Sequence, residues 1–243
     1  MKLLVHPRSL WLAYDMRHTN EIQQMLPSGL HVAPVRLFES DPAPRKRLLM
    51  NVYECSSSFM NGARIEVQTF VYNAHKNTVH LCILDCISNT MQWDPVTGIH
   101  ARNALLQSPT SSSLLQPRDN DDMRSASTGA QFHVHFTSPE QNTTHRKTIL
   151  RVSARVGQQM ESPTRPFVVD ANRICYFRNC DTPFPMRFDV SEVAAPVVRL
   201  ANARVTSNVL KRYRAQRSPT HTFIHRTSMA FDVDVPNQIW SHL

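Results

Sequence analysis

Two carboxylates in a strand-rich stretch are the first candidates for acid–base chemistry. Glu66 lies in the run RIEVQTFVY, which alternates charged or polar residues with apolar ones, and Asp85 ends the next β-rich run, with Asp94 following soon after. Glu66 or Asp85 could act as a general acid or base, and Asp85 with Asp94, within ten residues of each other, could form a paired-carboxylate site. Aspartate is also an ordinary residue of turns and caps, so a plain turn is the competing interpretation of Asp85 and Asp94.

Two histidines spaced two residues apart are the next candidates. In Phe132-His133-Val134-His135-Phe136 the histidines share one face of a predicted strand, while the apolar residues share the other. Such a pair can shuttle a proton or bind a metal ion. A proline precedes Glu140, the nearest carboxylate, and no closed ligand set follows from the spacing. We therefore predict no metal and no cofactor, and keep a metal-dependent enzyme that uses this strand as an alternative.

Arginines spread along predicted strands could bind a carboxylate. They supply most of the positive charge in a chain of formal net charge +8. Arg64 shares a strand face with Glu66, and Arg151 shares one with Arg155 in ILRVSARV. If either face lines an interior, its charges must be paired or must meet a ligand. A solvated outer face is the competing interpretation. The dispersed pattern lacks the aromatic-lined basic stripe of nucleic-acid modules, which argues against nucleic acid.

These residues need strands to position them, and strand signals dominate the chain. Glycine is rare (5) and proline common (16). Helix signals are few, at 21–26 after Asn20 and at 207–214 after Ser207. Runs with β-branched or aromatic residues and partial alternation occupy residues 48–54, 64–72, 78–84, 131–137, 147–156, 172–178, 197–206 and 222–235. This pattern predicts a mainly β (α+β) fold, an antiparallel barrel or sandwich with one or two short helices.

Length and composition favour one domain. At 243 residues and 41% hydrophobic content, the chain can bury a single sizeable core. Residues 107–130 are serine-rich and aperiodic, which predicts a flexible insertion or a lid rather than a domain boundary. No apolar run is long enough to span a membrane. Five cysteines without a CxxC pair favour a reducing, cytoplasmic location.

A series of short motifs resembles a known family. The segment MLPSGL at 25–30, the strand pair at 51–53 and 66–72, and the later Trp93-Asp94-Pro95 and Gly98-Ile99-His100-Ala101-Arg102 follow one another in this order. Together they resemble the acetoacetate decarboxylase-like superfamily, in a branch that lacks the Schiff-base lysine. The resemblance covers most of the chain outside 107–130. It implies a single antiparallel β-barrel or β-cone over residues 1–243, with a central cavity.

The lysine on which the decarboxylases depend is missing from this chain. Ala101 and Arg102 occupy its position, and an arginine cannot supply the deprotonated amine that a Schiff base needs. The resemblance therefore implies a pocket for a small organic acid or keto compound, in an enzyme or a binding protein. Any reaction would be non-covalent acid–base chemistry, as in a lyase or isomerase: decarboxylation, isomerisation, cyclisation or dehydration. Whether the chain is an enzyme, and whether it forms a homo-oligomer, stays open.

Residues of the candidate site follow from this interpretation. The catalytic candidates are Glu66, Asp85, His133 and His135, and the substrate-binding candidates are Arg102 as carboxylate clamp, Arg64, Trp93 and Arg151. The alternative is a non-enzymatic basic protein that binds an acidic partner or nucleic acid. Glu66, an arginine and a histidine in one enclosed site would favour the pocket, whereas an exposed stripe of arginines would favour the binding module.

Overall fold

The structure, a computed structural model, describes residues 2–5, 9–56, 61–88, 131–139, 146–163, 173–177, 180–188, 195–215, 218–225 and 229–233. The insertion predicted at 107–130 lies outside these residues. Strands account for most of the described chain, which confirms the predicted mainly β class. Within the described part of the chain, no helix is long and apolar enough to cross a membrane.

The strands run along the whole described chain. They are β1 (Lys2–Val5), β2 (Leu10–Asp15), β3 (Leu30–Val32), β4 (Pro34–Val35), β5 (Arg45–Ser56), β6 (Asn61–Asn73), β7 (Thr78–Ser88), β8 (Gln131–Pro139), β9 (Arg146–Glu161), β10 (Arg173–Phe177), β11 (Cys180–Phe188), β12 (Val197–Ser207), β13 (His221–His225) and β14 (Met229–Val233). Most are longer than their predicted counterparts, and the run predicted at 222–235 contains two separate strands, β13 and β14.

The strands form one curled sheet, in which hydrogen-bonded neighbours follow the order β3-β6-β7-β10-β11-β14-β1-β5-β2-β13-β12-β9-β8. Strand β5 lies at its centre, because it pairs with β6 on one side and with β1 and β2 on the other. This double pairing curls the sheet back on itself, while β3 and β8 stand at the ends of the path. The described strands therefore form a β-cone rather than a fully closed barrel. All described pairs are antiparallel except β7 with β10.

Alternation along the central strands separates two cores. The first core contains Leu48, Met50 and Val52 of β5 together with the like-facing residues of β6 to β9. The second core, on the opposite face, contains Trp11, Phe38 and Phe223 among others. Successive side chains of a strand point to opposite faces. A polar residue of these strands therefore faces the first core or the second core according to its place in the alternation.

A bulge interrupts this alternation on β7. Val67 of β6 lies opposite Asp85, whereas the next residue, Gln68, lies opposite Ile83. Leu84 is therefore an extra residue on β7, and the residues after it change face relative to those before it.

Helical structure in the described residues is brief and lies at two of the predicted places. Helix α1 covers Asn20–Gln23, so a helix lies where one was predicted at 21–26 but is shorter and begins at Asn20. The Gln23 side chain bonds the backbone of β3, at Leu30 O and Val32 N. A 3-10 turn covers Leu210–Tyr213, and the Ser207 hydroxyl accepts hydrogen bonds from the two backbone N–H groups before and at its start.

Candidate active site

A buried polar cluster surrounds Glu66 of strand β6. Strand β6 directs Arg64, Glu66 and Gln68 to the face that carries Phe70 of the second core. Their exposed fractions are 1%, 5% and 2%, so none of them faces solvent. The charged face of RIEVQTFVY is thus an interior face, and its charges are paired there.

The Glu66 carboxylate accepts hydrogen bonds from three neighbouring side chains. Oε1 accepts from Tyr53 Oη at 2.7 Å and from Arg64 Nε and Nη2 at 3.1 and 3.0 Å. Oε2 accepts from Gln68 Nε2 at 2.5 Å. A carboxylate oxygen has two lone-pair sites, so Oε1 is fully engaged while Oε2 keeps one site open. Oε2 is therefore the atom of Glu66 that can take up a proton from a ligand.

Tyr53 stays protonated in this cluster. Burial raises the pKa of its hydroxyl well above the usual 10, and the Arg64 guanidinium opposes that rise only in part. A neutral phenol donates its hydrogen to Glu66 and leaves the charge of the carboxylate to be balanced by Arg64, at 3.0 Å. The cluster is consequently close to neutral in sum, which is the condition under which a buried ion pair is tolerated.

The neighbouring strands complete the cluster. Asn51 of β5 and Cys86 of β7 lie directly opposite Glu66, and Trp11 of β2 lies opposite Asn51. Arg64 Nη2 donates to Cys86 Sγ at 3.2 Å. Within the described part of the chain, the buried carbonyl oxygens Asn51 Oδ1 and Gln68 Oε1 have no hydrogen-bond partner. Unmatched buried acceptors cost free energy, so these two oxygens favour a ligand that donates hydrogen bonds.

A buried histidine from a distant part of the chain lies on the same face. His225 of β13 is 1% exposed and packs edge-on against Trp11 and Phe223, with ring centroids 6.3 Å apart in both pairs. Burial lowers the pKa of His225 from 6.5 to about 4, so its ring is neutral at pH 7. The sequence analysis did not single out Tyr53, Asn51 or His225. Asn51 and Tyr53 alternate with an apolar residue in LLMNVY, and this alternation is the sequence pattern that could have identified both as candidates.

Asp85 does not join Glu66 in a carboxylate pair. The extra residue Leu84 turns Asp85 to the face of the first core, opposite Val67, while its neighbour Cys86 faces Glu66. There Asp85 bonds Arg212 Nη1 at 3.2 Å, and the Arg212 side chain is 54% exposed. Glu66 and Asp85 thus lie on opposite faces of the sheet, while Asp94, which could pair with Asp85, lies outside the described residues.

His133, His135 and Arg151 lie together, but on the outer side of β8 and β9. His133 and Arg151 are exposed and His135 is half-buried. His135 Nε2 lies 3.3 Å from Thr148 Oγ1 and 3.5 Å from Arg151 Nη2. The pKa of His135 is lowered, mainly by burial and to a lesser extent by the Arg151 charge. A neighbouring cation disfavours a second cation, and the described residues contain no group of three metal-ligating side chains. Trp93 and Arg102 lie outside the described residues.

A second buried polar network is centred on Asp41. Asp41 accepts from Arg47 Nη2 at 3.0 Å and from His221 Nε2 at 3.1 Å, and its Oδ2 also accepts from the backbone N–H of Leu37 at 2.8 Å. Arg199 contacts the other ring nitrogen of His221. Arg47 follows Arg45 and Lys46, which are both exposed, yet its own side chain is buried.

Two cavities lined by described residues lie away from Glu66. One, of about 340 Å³, lies between α1 and the 3-10 turn, with Ile22, Met25 and Tyr213 in its wall. The other, of about 580 Å³, is an open groove on β8, β9 and β12.

The fold is that of the acetoacetate decarboxylase-like proteins. A solved structure of the enduracididine biosynthesis enzyme MppR complexed with pyruvate superposes with a TM-score of 0.53 at 11% identity, covering 96% of this chain and 88% of that one. Acetoacetate decarboxylase from Legionella pneumophila subsp. pneumophila str. Philadelphia 1 superposes with a TM-score of 0.50 at 8% identity, covering 98% and 89%. No protein-family model and no curated protein sequence matches the chain. The resemblance drawn from the motifs is therefore confirmed at the level of the fold.

Proposed function

We propose that the chain binds a small organic acid or keto compound at the Glu66 cluster and acts on it by non-covalent acid–base chemistry. The observation that carries the proposal is the buried Arg64–Glu66 pair on the interior face of this fold. Burying two charges is costly, and hydrophobic residues of similar volume would hold a core as well or better. A retained interior ion pair with unmatched acceptors beside it is typical of a functional site.

The geometry assigns a different task to each side chain in this proposal. Glu66 Oε2 is the proton acceptor, since Oε1 is already saturated by three donors. Arg64 offsets the charge of Glu66, so an anionic ligand does not meet an isolated carboxylate. Tyr53 and Gln68 fix the carboxylate in place. Asn51 Oδ1 accepts a hydrogen bond from a hydroxyl, enol or amine of the ligand.

The fold similarity supports a small-molecule ligand of this kind. The MppR structure holds pyruvate, a keto acid, and the second neighbour is named for its action on acetoacetate. The chemistry of those proteins is not transferred, because the identities of 11% and 8% establish the fold alone. What carries over is the expectation that the interior of the cone, rather than its outer face, receives the ligand.

Replacing Glu66 with glutamine is expected to abolish ligand-dependent chemistry while changing little of the shape of the site. The purified chain would be incubated with pyruvate, acetoacetate and other 2- and 3-oxo acids, with proton NMR following both binding and turnover. Removing a positioned acid or base costs about 10²–10⁴-fold in rate. Glu39→Gln removes an exposed carboxylate and is the matched control. Equal effects of Glu66→Gln and Glu39→Gln, or no response to any oxo acid, would contradict the proposal.

Borohydride reduction in the presence of pyruvate or acetoacetate is expected to leave the mass of the protein unchanged. Three lysines have described side chains, Lys46, Lys76 and Lys211, and all three are exposed. None of them lies at the Glu66 cluster. Intact-protein mass spectrometry makes the measurement, and a stable increment equal to one reduced imine would show covalent catalysis instead.

A further inference from the structure

The outer face of β8, β9 and β12 is strongly basic. Arg151, Arg155 and Arg204 are exposed there, and His133 is exposed beside them. Across the three strands the sole acidic residue is Glu161, at the end of β9, and it pairs with Arg199 at 3.3 Å. Positive charge on this face is therefore not balanced locally.

The strand register brings two of these arginines to one place. His133 of β8 lies opposite Ser153 of β9, which lies opposite Arg204 of β12. Arg155 is two residues along from Ser153 and so shares its face. Directly opposed residues of neighbouring strands have Cβ atoms about 5 Å apart, and diagonal neighbours are within reach of long side chains.

A bulge on β12 shapes this place. Ala201 lies opposite Arg155 and Arg204 lies opposite Ser153, so β12 has one residue more than β9 in this interval. Asn202 within the bulge has a φ of 53°, in the left-handed region that few residues other than glycine and asparagine adopt. The result is a groove of about 580 Å³ whose wall includes His133, Ser153, Arg155, Asn202 and Arg204.

We propose that this groove binds the phosphate group of a small phosphorylated molecule, held between Arg155 and Arg204. Guanidinium groups match the geometry of a phosphate with pairs of N–H donors, and two of them balance a dianion. The Ser153 hydroxyl and the Asn202 amide lie in the same wall and can complete its hydrogen bonds. Neither Arg155 nor Arg204 has a carboxylate in salt-bridge range within the described residues.

The size and lining of the groove favour a small molecule over a nucleic acid. A volume of 580 Å³ exceeds that of a bare phosphate, so the rest of a metabolite-sized ligand has room. Single strands are bound through aromatic side chains on which bases stack. Among the described residues that line the groove, His133 has the only aromatic ring, and Phe136 of β8 is buried on the other face.

Titration of the full-length chain with inorganic phosphate and with glycerol phosphate tests the proposal, by calorimetry and by NMR of the arginine side chains. Arg155→Ala and Arg204→Ala are each expected to weaken binding about tenfold or more, as is usual for a charge-assisted contact. Arg204→Lys, which keeps the charge but loses the paired donors, should weaken it as well. Arg45→Ala removes an exposed strand arginine elsewhere, and Arg151→Ala removes one from the same face outside the groove. Both are expected to bind phosphate as the unmodified chain does.

Several outcomes would overturn the proposal. One is the lack of saturable binding of either phosphate at millimolar concentration. Another is an equal loss of affinity in Arg45→Ala or Arg151→Ala, which would reveal only the general positive field of the protein. Tight binding of a short single-stranded oligonucleotide, without measurable binding of glycerol phosphate, would identify the face as a polyanion surface instead. Circular dichroism of each variant confirms that the fold is retained, and the exposure of these arginines makes its loss unexpected.

Discussion

Replacing Glu66 with alanine is expected to lower the free energy of unfolding by about 3–5 kcal/mol, the cost of breaking a buried ion pair by removing one partner. The change leaves the Arg64 guanidinium buried without its carboxylate, and it removes the acceptor that serves the Tyr53 hydroxyl and the Gln68 amide. Equilibrium unfolding in urea measures the loss as a lower midpoint at unchanged slope.

The converse experiment separates stability from function at the same site. The double variant Arg64→Met/Glu66→Leu exchanges both charges for apolar side chains of similar volume. It is expected to recover a large part of the stability that Glu66→Ala loses, since no uncompensated charge stays buried. Ligand binding should nevertheless be absent. A double variant that is as unstable as Glu66→Ala would show that the pair is a structural element, and one that still binds the ligand would place the site elsewhere.

Lowering the pH from 7 to 5 is expected to cost about 2 kcal/mol of stability for each of two histidines, the buried His225 and the partly buried His221. Burial lowers the pKa of His225 to about 4, and burial together with the Arg199 and Arg47 charges lowers that of His221 to about 4, against the attraction of Asp41 and Asp15. In the unfolded chain a histidine takes up its proton near pH 6.5. The unfolded state therefore binds more protons as the pH falls from 6.5 towards 4, and stability, which is full above 6.5, declines through that window.

Urea unfolding at pH 7, 6 and 5 measures this decline. His225→Phe keeps an aromatic ring between Trp11 and Phe223 and removes one of the two titrations, so it should lose about half of the pH dependence. His31→Gln, which removes an exposed imidazole, is the matched control. A pH dependence in His225→Phe as steep as that of the unmodified chain would show that His225 is already protonated in the fold.

Much of the fold follows from the alternation of residue types along single strands. Strands β5, β6 and β7 were predicted within a few residues of their observed ends, since β-branched residues alternate with polar ones there. Strand β11 was missed because Pro183 and Pro185 usually exclude a strand. The pairing order could not be predicted at all, because β1 with β14 and β7 with β10 join segments that are remote in the sequence.

The burial of the candidate site could not be predicted from the alternation of residues within single strands. Alternation in RIEVQTFVY defines two faces, but whether Arg64 and Glu66 face water or the interior depends on strands β2 and β13, which come from distant parts of the chain. The sequence left open whether they face water or the interior, and the structure buries them. Simple alternation from Ile83 would also have placed Asp85 beside Glu66, and the single extra residue Leu84 reverses it.

The pairing of β1 with β14 has a consequence for how the protein is made. Leu3 lies opposite Phe231, so the first described strand finds this partner only after nearly all of the described sequence has left the ribosome. Contacts between such remote segments carry a large loop-closure cost and slow folding. Until β14 arrives, one edge of β1 is unpaired, a state in which strands add to other chains. We therefore expect truncations that remove β14 to aggregate in the cell rather than to accumulate as a smaller folded unit.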